Sequence, residues 1–374
     1  MLKYILLFIR KGKLMKNNHN LLMKMKNLEK FSGAIKRCVA IAMASMLFAT
    51  TGFSLDTHPV KAQEVSSSAD KIEIPEISKD AFKKYKKISG IGANTILGAD
   101  FTYYQQCLEW GKSYKNYMSQ SVDNIFDYVK SQGINTISLK VAVNPTGENA
   151  YLSLENAIKT LKAVKASNTN LKTNLVLLYS DEITYAGTQN LPADWEKAEK
   201  EEQSVTRVES AKTYTRETIA KLKQANVLPD IVTIGNEVNW NFLGITDGEG
   251  WEGWEAMGNI SALLKKAGVK NAVSIAAPSD ASSVKYIVQK LGYASVDYDY
   301  IGVNVYPDNN TNNYIKSLKK EVESCAPDKQ LIVSNVEYER VNEANTANVY
   351  TQADSIYNLL EATIDEKNGM LPFR

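Results

Sequence analysis

The sequence predicts an α/β protein built as a (β/α)8 TIM barrel, with the eighth strand missing. Two observations carry that expectation. Short apolar runs alternate with helical patterns along the chain, the signature of a parallel sheet with crossover helices. No glycine-rich phosphate loop follows any of the runs, so a doubly wound nucleotide-binding sheet has little support.

The strands read in order are Thr95 to Phe101, Thr136 to Val143, Asn174 to Tyr179, Ile231 to Asn236, Ala272 to Pro278, Tyr300 to Tyr306 and Leu331 to Glu337. Between them lie helices with apolar residues at spacings of three and four. Val122, Ile125, Phe126 and Val129 form one such face, and Ile158, Leu161 and Val164 another. After Glu337 one more helix is readable, Thr351 to Ile364, with Ile356, Leu359, Leu360 and Thr363 on one face. Leu371 to Arg374 is too short for an eighth strand, and Pro372 has no N–H to give to a ladder. The expectation is a truncated or frameshifted product of low stability. Its first and seventh strands would face each other across a gap, with unpaired backbone and apolar side chains exposed.

Composition supports a large soluble domain. With 44% hydrophobic and 23% charged residues the chain buries a substantial core. Lys+Arg 44 against Asp+Glu 42 gives a net charge of +2, a balance that argues against nucleic acid as the main partner. Residues 1–62 read as an export leader. Lys36-Arg37 precede an apolar stretch from Cys38 to Phe53, and Val60-Lys61-Ala62 offers small residues for a signal peptidase. The stretch is short for a transmembrane span, so secretion without stable membrane association is expected, and retention as an anchor is the alternative. Initiation at Met23 or Met25 would omit the lysine-rich front. Residues 63–87, with Ser66-Ser67-Ser68, read as a flexible spacer, and residues 88–374 as one monomeric domain. Cys107 and Cys325 fall at opposite ends of the barrel. Strands of five or six residues span about 17 to 20 Å, beyond the reach of a disulfide, so two unpaired, mostly buried thiols are expected.

The residues that carry chemistry are read at the carboxyl ends of the strands, where a barrel of this kind places its catalytic groups. Glu237 follows Ile231-Val232-Thr233-Ile234 in the tripeptide Gly235-Asn236-Glu237, and Glu337 ends the run from Leu331. Two carboxylates so placed suit hydrolysis of a sugar bond, one as proton donor and one as nucleophile. The other strand ends are Asp100, Asn144-Pro145, Tyr179-Ser180-Asp181, Ser279-Asp280, Asn304 and Tyr306-Pro307. Polar, acidic and aromatic groups of this kind suit a carbohydrate, whose hydroxyls need hydrogen-bond partners and whose ring faces need aromatic platforms. Glu339 would share a strand face with Glu337 and is the rival nucleophile. Asp100 and Asp181 either line the cleft or fix loops through backbone hydrogen bonds. Trp240 reads as a sugar platform, Trp251 and Trp254 as core by their helical spacing, and Trp195 as either. The two histidines, His19 and His58, both precede the domain, so no metal site or cofactor is expected, although loop oxygens could hold calcium.

Taken together these segments resemble glycoside hydrolase family 53, the arabinogalactan endo-β-1,4-galactanases. The resemblance runs from about Ile96 to about Leu360. It rests on Leu97-Gly98-Ala99-Asp100, Asn144-Pro145, Tyr179-Ser180-Asp181 with Gln189 to Trp195, Leu228-Pro229-Asp230 leading into Gly235-Asn236-Glu237-Val238-Asn239, and Ile301-Gly302 leading to Tyr306-Pro307. It implies a plant cell-wall polysaccharide as partner and a retaining mechanism. Glu237 would be the general acid and base, held as the protonated partner, and Glu337 the nucleophile. Asn236 would bond the sugar 2-hydroxyl and Tyr306 would orient Glu337. The chain departs from the family pattern on the second strand. There the family's Arg-Leu-Arg-Val-Trp is replaced by Ser138-Leu139-Lys140-Val141-Ala142; on the third strand Leu178 replaces a histidine, and beside Tyr306 Val305 replaces an aromatic residue. These changes bear on galactan specificity. A barrel hydrolase of another β-1,4-glycan, mannan or glucan, and a catalytically silent carbohydrate-binding protein are the two rival readings.

Overall fold

The computed structural model describes residues 88, 91, 95–116, 120–201, 206–246, 250–276, 282–305, 311–336 and 349–364. Within them the chain runs β1 (Gly98–Asp100), α1 (Tyr104–Glu109), α2 (Ile125–Ser131), β2 (Thr136–Val141), a 3-10 turn (Gly147–Leu152), α3 (Leu154–Ala166), β3 (Lys172–Leu177), α4 (Ala193–Glu201), α5 (Arg207–Gln224) and β4 (Ile231–Ile234). A hairpin, β5 (Asn241–Phe242) and β6 (Ile245–Thr246), precedes α6 (Glu252–Ala267), β7 (Lys270–Ala276), α7 (Ser283–Tyr293), β8 (Tyr300–Val305), α8 (Thr311–Cys325), β9 (Gln330–Val336) and α9 (Val349–Thr363). Seven of these strands pair in the order β1-β2-β3-β4-β7-β8-β9, every pair parallel, giving a curled sheet wrapped by helices. This is the expected barrel with seven of its strands.

The period-two alternation of the strands sorts the core into two regions. On β2, Ile137, Leu139 and Val141 are buried in the layer under the helices, with Leu175 and Leu177 of β3, Ile234 of β4, and Phe126, Leu161, Leu222 and Ile260 from the helices. The alternate residues face the lumen. Its floor is apolar, where Ile96, Ile231, Ala272 and Tyr300 cluster. Above the floor the lumen turns polar. Asn174 Nδ2 donates to Ser138 Oγ at 3.1 Å, and Thr233 Oγ1 donates to Asn174 Oδ1 at 3.0 Å, linking β2, β3 and β4 across the interior.

Among the described residues no strand joins β1 to β9. The two edges border a cavity of about 150 Å³ that is also lined by Ile356, Leu359 and Leu360 of α9. Apolar surface was expected to stand exposed here; α9 covers part of it, while Ile332 and Val336 of β9 stay half-buried beside the cavity. Val333 is buried in the main core, and Leu97 packs with Ile88, Ile356 and Leu360. Helix α2 starts later than its apolar spacing suggested, at Ile125, because Asn124 caps it: Oδ1 accepts from the Phe126 N–H at 2.9 Å, leaving Val122 outside. The cysteines are unpaired as expected. Both are half-buried rather than mostly buried, because Cys107 lies on the short helix α1 and Cys325 ends α8.

Candidate functional site

Strand β4 stops at Ile234 because Gly235 enters the left-handed region, with φ +68. A Cβ there would lie 2.3 Å from Val238 Cγ1, so only glycine allows this turn. The chain remains pinned on both sides. Gly235 N donates to Leu177 O at 2.9 Å, continuing the β3 ladder, and Val238 N donates to Ser274 O at 2.9 Å, joining β7. Asn239 extends the β7 pairing with its side chain, donating to Ala276 O at 2.8 Å and accepting from Ala276 N at 2.7 Å. Between the anchors Glu237 sits at φ +59, a conformation that costs a non-glycine residue on the order of 1–3 kcal/mol. Strain of this kind persists only where the surroundings over-determine it.

Here the surroundings do so. Glu237 is 2% exposed, and each of its carboxylate oxygens accepts a hydrogen bond: Oε1 from Asn304 Nδ2 at 2.7 Å, Oε2 from the Ala186 N–H at 3.0 Å. The backbone beneath it is clamped by the loop after β3. Gln189 Nε2 donates to Asn236 O at 2.8 Å, and Thr184 Oγ1 to the same oxygen at 3.1 Å. Asn236 Nδ2 donates back to Thr184 O at 2.6 Å, and its Oδ1 accepts from Asn304 Nδ2 at 3.1 Å. An amide has two N–H groups and two acceptor lone pairs, so Asn236 keeps one of each beyond these contacts.

Asn304 is the hub of this arrangement, and a β-bulge creates it. Pairing of β8 with β9 runs Val303 to Val333 and then Asn304 to Asn335, leaving Ser334 as the extra residue. Ser334 Oγ donates to Asn304 Oδ1 at 2.8 Å, and Ser274 Oγ lies 3.4 Å from the same oxygen. The Asn304 amide is thereby oriented with its nitrogen toward Asn236 and Glu237. Ser334 can come this close because residue 302 is glycine; a Cβ on Gly302 would lie 2.8 Å from Ser334 Cβ. Gly302→Ala is therefore expected to cost about 1–3 kcal/mol, as overpacking does, and to displace Ser334 and, through it, Asn304. Urea unfolding midpoints check the loss of stability.

A family model described as glycosyl hydrolase family 53 matches residues 96–371. The chain belongs to glycosyl hydrolase family 53. An arabinogalactan endo-beta-1,4-galactanase of Cellvibrio japonicus is 28% identical over 233 residues, which are 59% of this chain and 59% of that protein. The arabinogalactan endo-beta-1,4-galactanase of Thermothelomyces thermophilus is 28% identical over 252 residues, 63% of this chain and 70% of that one. The chain thus spans about three fifths of the length of the first of these relatives. The Ignisphaera aggregans GH53 catalytic domain superposes with a TM-score of 0.62 at 20% identity, covering 77% of this chain and 86% of that one, which shows the shared fold.

The second-strand departure from the family pattern acquires a structural meaning. Lys140 and Asp100, both buried, form an ion pair between β2 and β1. Asp100 also accepts from the Thr102 N–H at 2.8 Å, and Thr102 Oγ1 accepts from Lys140 N at 3.0 Å. Burial pushes the Asp100 carboxyl up, but the Lys140 charge and the hydrogen bonds from Lys140 and Thr102 outweigh it and hold the carboxyl below the usual aspartate value. Both side chains border the same lumen cavity as Asn236 and Asn304.

The other residues singled out in the sequence separate clearly. Asp181 accepts from Asn144 N at 2.9 Å and from Ala193 N at 3.0 Å, so its carboxylate ties the loop after β2 to the start of α4. Tyr179, with φ +52, turns its ring into the helix layer, where its hydroxyl lies 3.0 Å from Thr215 Oγ1. Trp195 is half-buried, 5.9 Å from the Tyr214 ring. Trp254 is core, as its spacing suggested. Trp251 is not: it precedes the first turn of α6 as the cap residue and is partly exposed. Trp240 is also exposed. Glu337, Glu339, Tyr306 and Ser279-Asp280 lie outside the described residues, as does the leader, residues 1–62. Among the described residues no group of three or more His, Cys, Asp or Glu is placed to hold a metal ion, and no helix is long and apolar enough to cross a membrane.

Sequence reading missed Thr184, Ala186, Ser274 and Ser334. Ser274 did carry a signal, being the single polar residue between Ala272 and Ala276, and Ser334 with Asn335 interrupts the apolar run from Leu331, positions where a buried hydroxyl needs a partner.

Proposed function

We propose that the chain is an exported, retaining, endo-acting glycoside hydrolase that cleaves β-1,4-galactan. The observation that carries this reading is the Glu237 carboxylate, held on both oxygens at the carboxyl end of the fourth strand in a chain of this family. Proteins named arabinogalactan endo-beta-1,4-galactanase among its relatives support the substrate.

In the first step the Glu237 carboxyl gives its proton to the glycosidic oxygen while the Glu337 carboxylate attacks the anomeric carbon. The bond to the leaving sugar breaks and a glycosyl ester forms on Glu337. In the second step the Glu237 carboxylate takes a proton from water, whose oxygen attacks the same carbon and releases Glu337 as carboxylate. Asn304 and the Ala186 N–H hold Glu237 through both steps. Asn236 offers its remaining N–H and lone pair to the sugar 2-hydroxyl, a contact that strengthens in the transition state.

The test is product analysis on β-1,4-galactan beside β-1,4-mannan and β-1,4-glucan, reading new reducing ends. Galactan is expected to give oligosaccharides. Cleavage of mannan or glucan alone would reassign the substrate, a result that the lysine at position 140 makes worth the comparison, because a lysine cannot clamp a hydroxyl pair as an arginine fork does.

A further inference from the structure

Outside the lumen the described residues carry one cluster of exposed aromatic rings. Trp240 is 39% exposed, Trp251 41% and Tyr286 40%, values at odds with the usual burial of such rings in a folded domain. They are neighbours in space. The Trp240 and Tyr286 rings lie 5.9 Å apart, tilted by 37°. Lys290 bridges to the third ring, its ammonium 5.1 Å from the centre of the Tyr286 ring and 5.5 Å from that of Trp251. Tyr286 and Lys290 are four residues apart on α7, hence on one face, and Tyr293, 76% exposed, continues that face.

The cluster stands at the catalytic end of the barrel. Trp240 follows Glu237 by three residues on the segment leaving β4, Trp251 precedes α6, and Tyr286 lies in the first turn of α7, which follows the end of β7. We propose that Trp240, Tyr286 and Trp251, ordered by Lys290, form an accessory platform that binds a stretch of β-linked polysaccharide outside the cleft. This rests on the reading of the chain as a polysaccharide hydrolase and extends it.

The chemistry selects this occupant. An aromatic face is electron-rich and its C–H edge electron-poor, so the face attracts polarised C–H groups, such as those on the apolar face of a pyranose. The indole N–H and phenol O–H at the ring edges can meet its hydroxyls. A cation held over two rings limits their motion before binding, so less entropy is lost on association. Continuity with the end of β4 means a polymer lying on Trp240 can also reach toward Glu237, and holding a long chain at two places raises its effective concentration at the cleft. A short substrate gains nothing from the platform.

The test compares the full chain with Trp251→Ala/Tyr286→Ala and with the conservative Trp251→Phe/Tyr286→Phe. Affinity for soluble β-1,4-galactan is read by retardation in polysaccharide-containing gels, and kinetics on the polymer and on an aryl β-galactoside are read in parallel. The alanine pair is expected to bind polymer at least about tenfold more weakly, as loss of aromatic anchors does. It should show a raised KM on polymer, with unchanged thermal midpoint and unchanged kinetics on the aryl substrate, while the phenylalanine pair retains most binding. Wild-type retardation and polymer KM in the alanine pair would overturn the platform while leaving the galactanase reading intact. Failure of the wild type to bind or cleave any glycan would overturn both. A wild-type dimer that the alanine pair converts to monomer, with polymer kinetics unaltered, would assign the rings to a second copy of the chain and likewise overturn it.

Discussion

Glu237→Gln is expected to lower kcat on β-1,4-galactan by about 10²–10⁴-fold, the contribution of a positioned general acid and base. Glutamine keeps the size of the side chain and one acceptor for the Asn304 and Ala186 donors, so the fold at this position should survive. The loss depends on the leaving group. An aryl galactoside with an acidic phenol needs no protonation, so its first step should proceed and the glycosyl ester should accumulate, visible as a burst of phenol followed by slow turnover. Azide, which attacks without needing a base, should restore steady turnover and yield a glycosyl azide. Glu337→Ala should abolish activity on both substrates, because no ester can form. Normal turnover in Glu337→Ala together with loss in Glu339→Ala would move the nucleophile two residues along the chain.

The second large effect concerns stability. Lys140→Met is expected to cost about 3–5 kcal/mol near neutral pH, because it leaves the Asp100 carboxylate buried without its counter-charge. Against a domain stability of about 5–15 kcal/mol, that is enough to leave a marginal fold. The sign with pH follows from the depressed Asp100 value. A carboxyl whose folded pKa lies below its unfolded one adds stability that is fully present above the unfolded pKa, about 3.9, and is lost as pH falls toward the folded value. In the wild type this contribution therefore declines with acid. In Lys140→Met the order reverses, since protonating Asp100 removes the unpaired charge, and the gap between the two proteins should narrow as pH falls. Replacing both partners, Asp100→Leu/Lys140→Met, should recover much of the loss, because the desolvation of two charges no longer has to be offset. Urea midpoints across the acid range check all three. A gap that is constant with pH would show that the pair is not coupled as its geometry requires.

Much of the fold was legible because strands buried on both faces read as apolar runs, and the seven runs became the seven paired strands. Their ends were less so. β3 begins at Lys172, earlier than its apolar part, because pairing with Thr136 and Ile137 places no apolar demand on Lys172 and Thr173 at the rim. β4 ends at Ile234, before Asn236, because the left-handed Gly235 breaks the pleat, a local geometry that the letters alone do not disclose. The hairpin of β5 and β6 was missed. Its two-residue turn, Leu243-Gly244, has φ of +58 and +70, and buried Leu243 is an unusual occupant of such a position, held there by core packing.

The site was legible where it depends on strand ends and opaque where it depends on partners far along the chain. Glu237 and Asn236 follow an apolar run and announce themselves. Asn304 reads as a cleft residue, yet its orientation follows from a bulge at Ser334 that pairing produces, and its amide nitrogen is spent on Asn236 and Glu237. Lys140 reads as a lost arginine until its partner Asp100 is seen across the sheet. Trp251 shows the limit of periodicity, since a helical spacing measured from outside a helix assigns a face that does not exist.

The central claim is retaining cleavage of β-1,4-galactan with Glu237 as acid and base. Proton NMR of the first products formed from β-1,4-galactan tests it most directly, because it reads the anomeric configuration before mutarotation mixes it. New reducing ends that first appear as the β anomer, and that Glu237→Gln fails to generate, are the expected result. New ends appearing first as the α anomer, or undiminished release by Glu237→Gln, would contradict it.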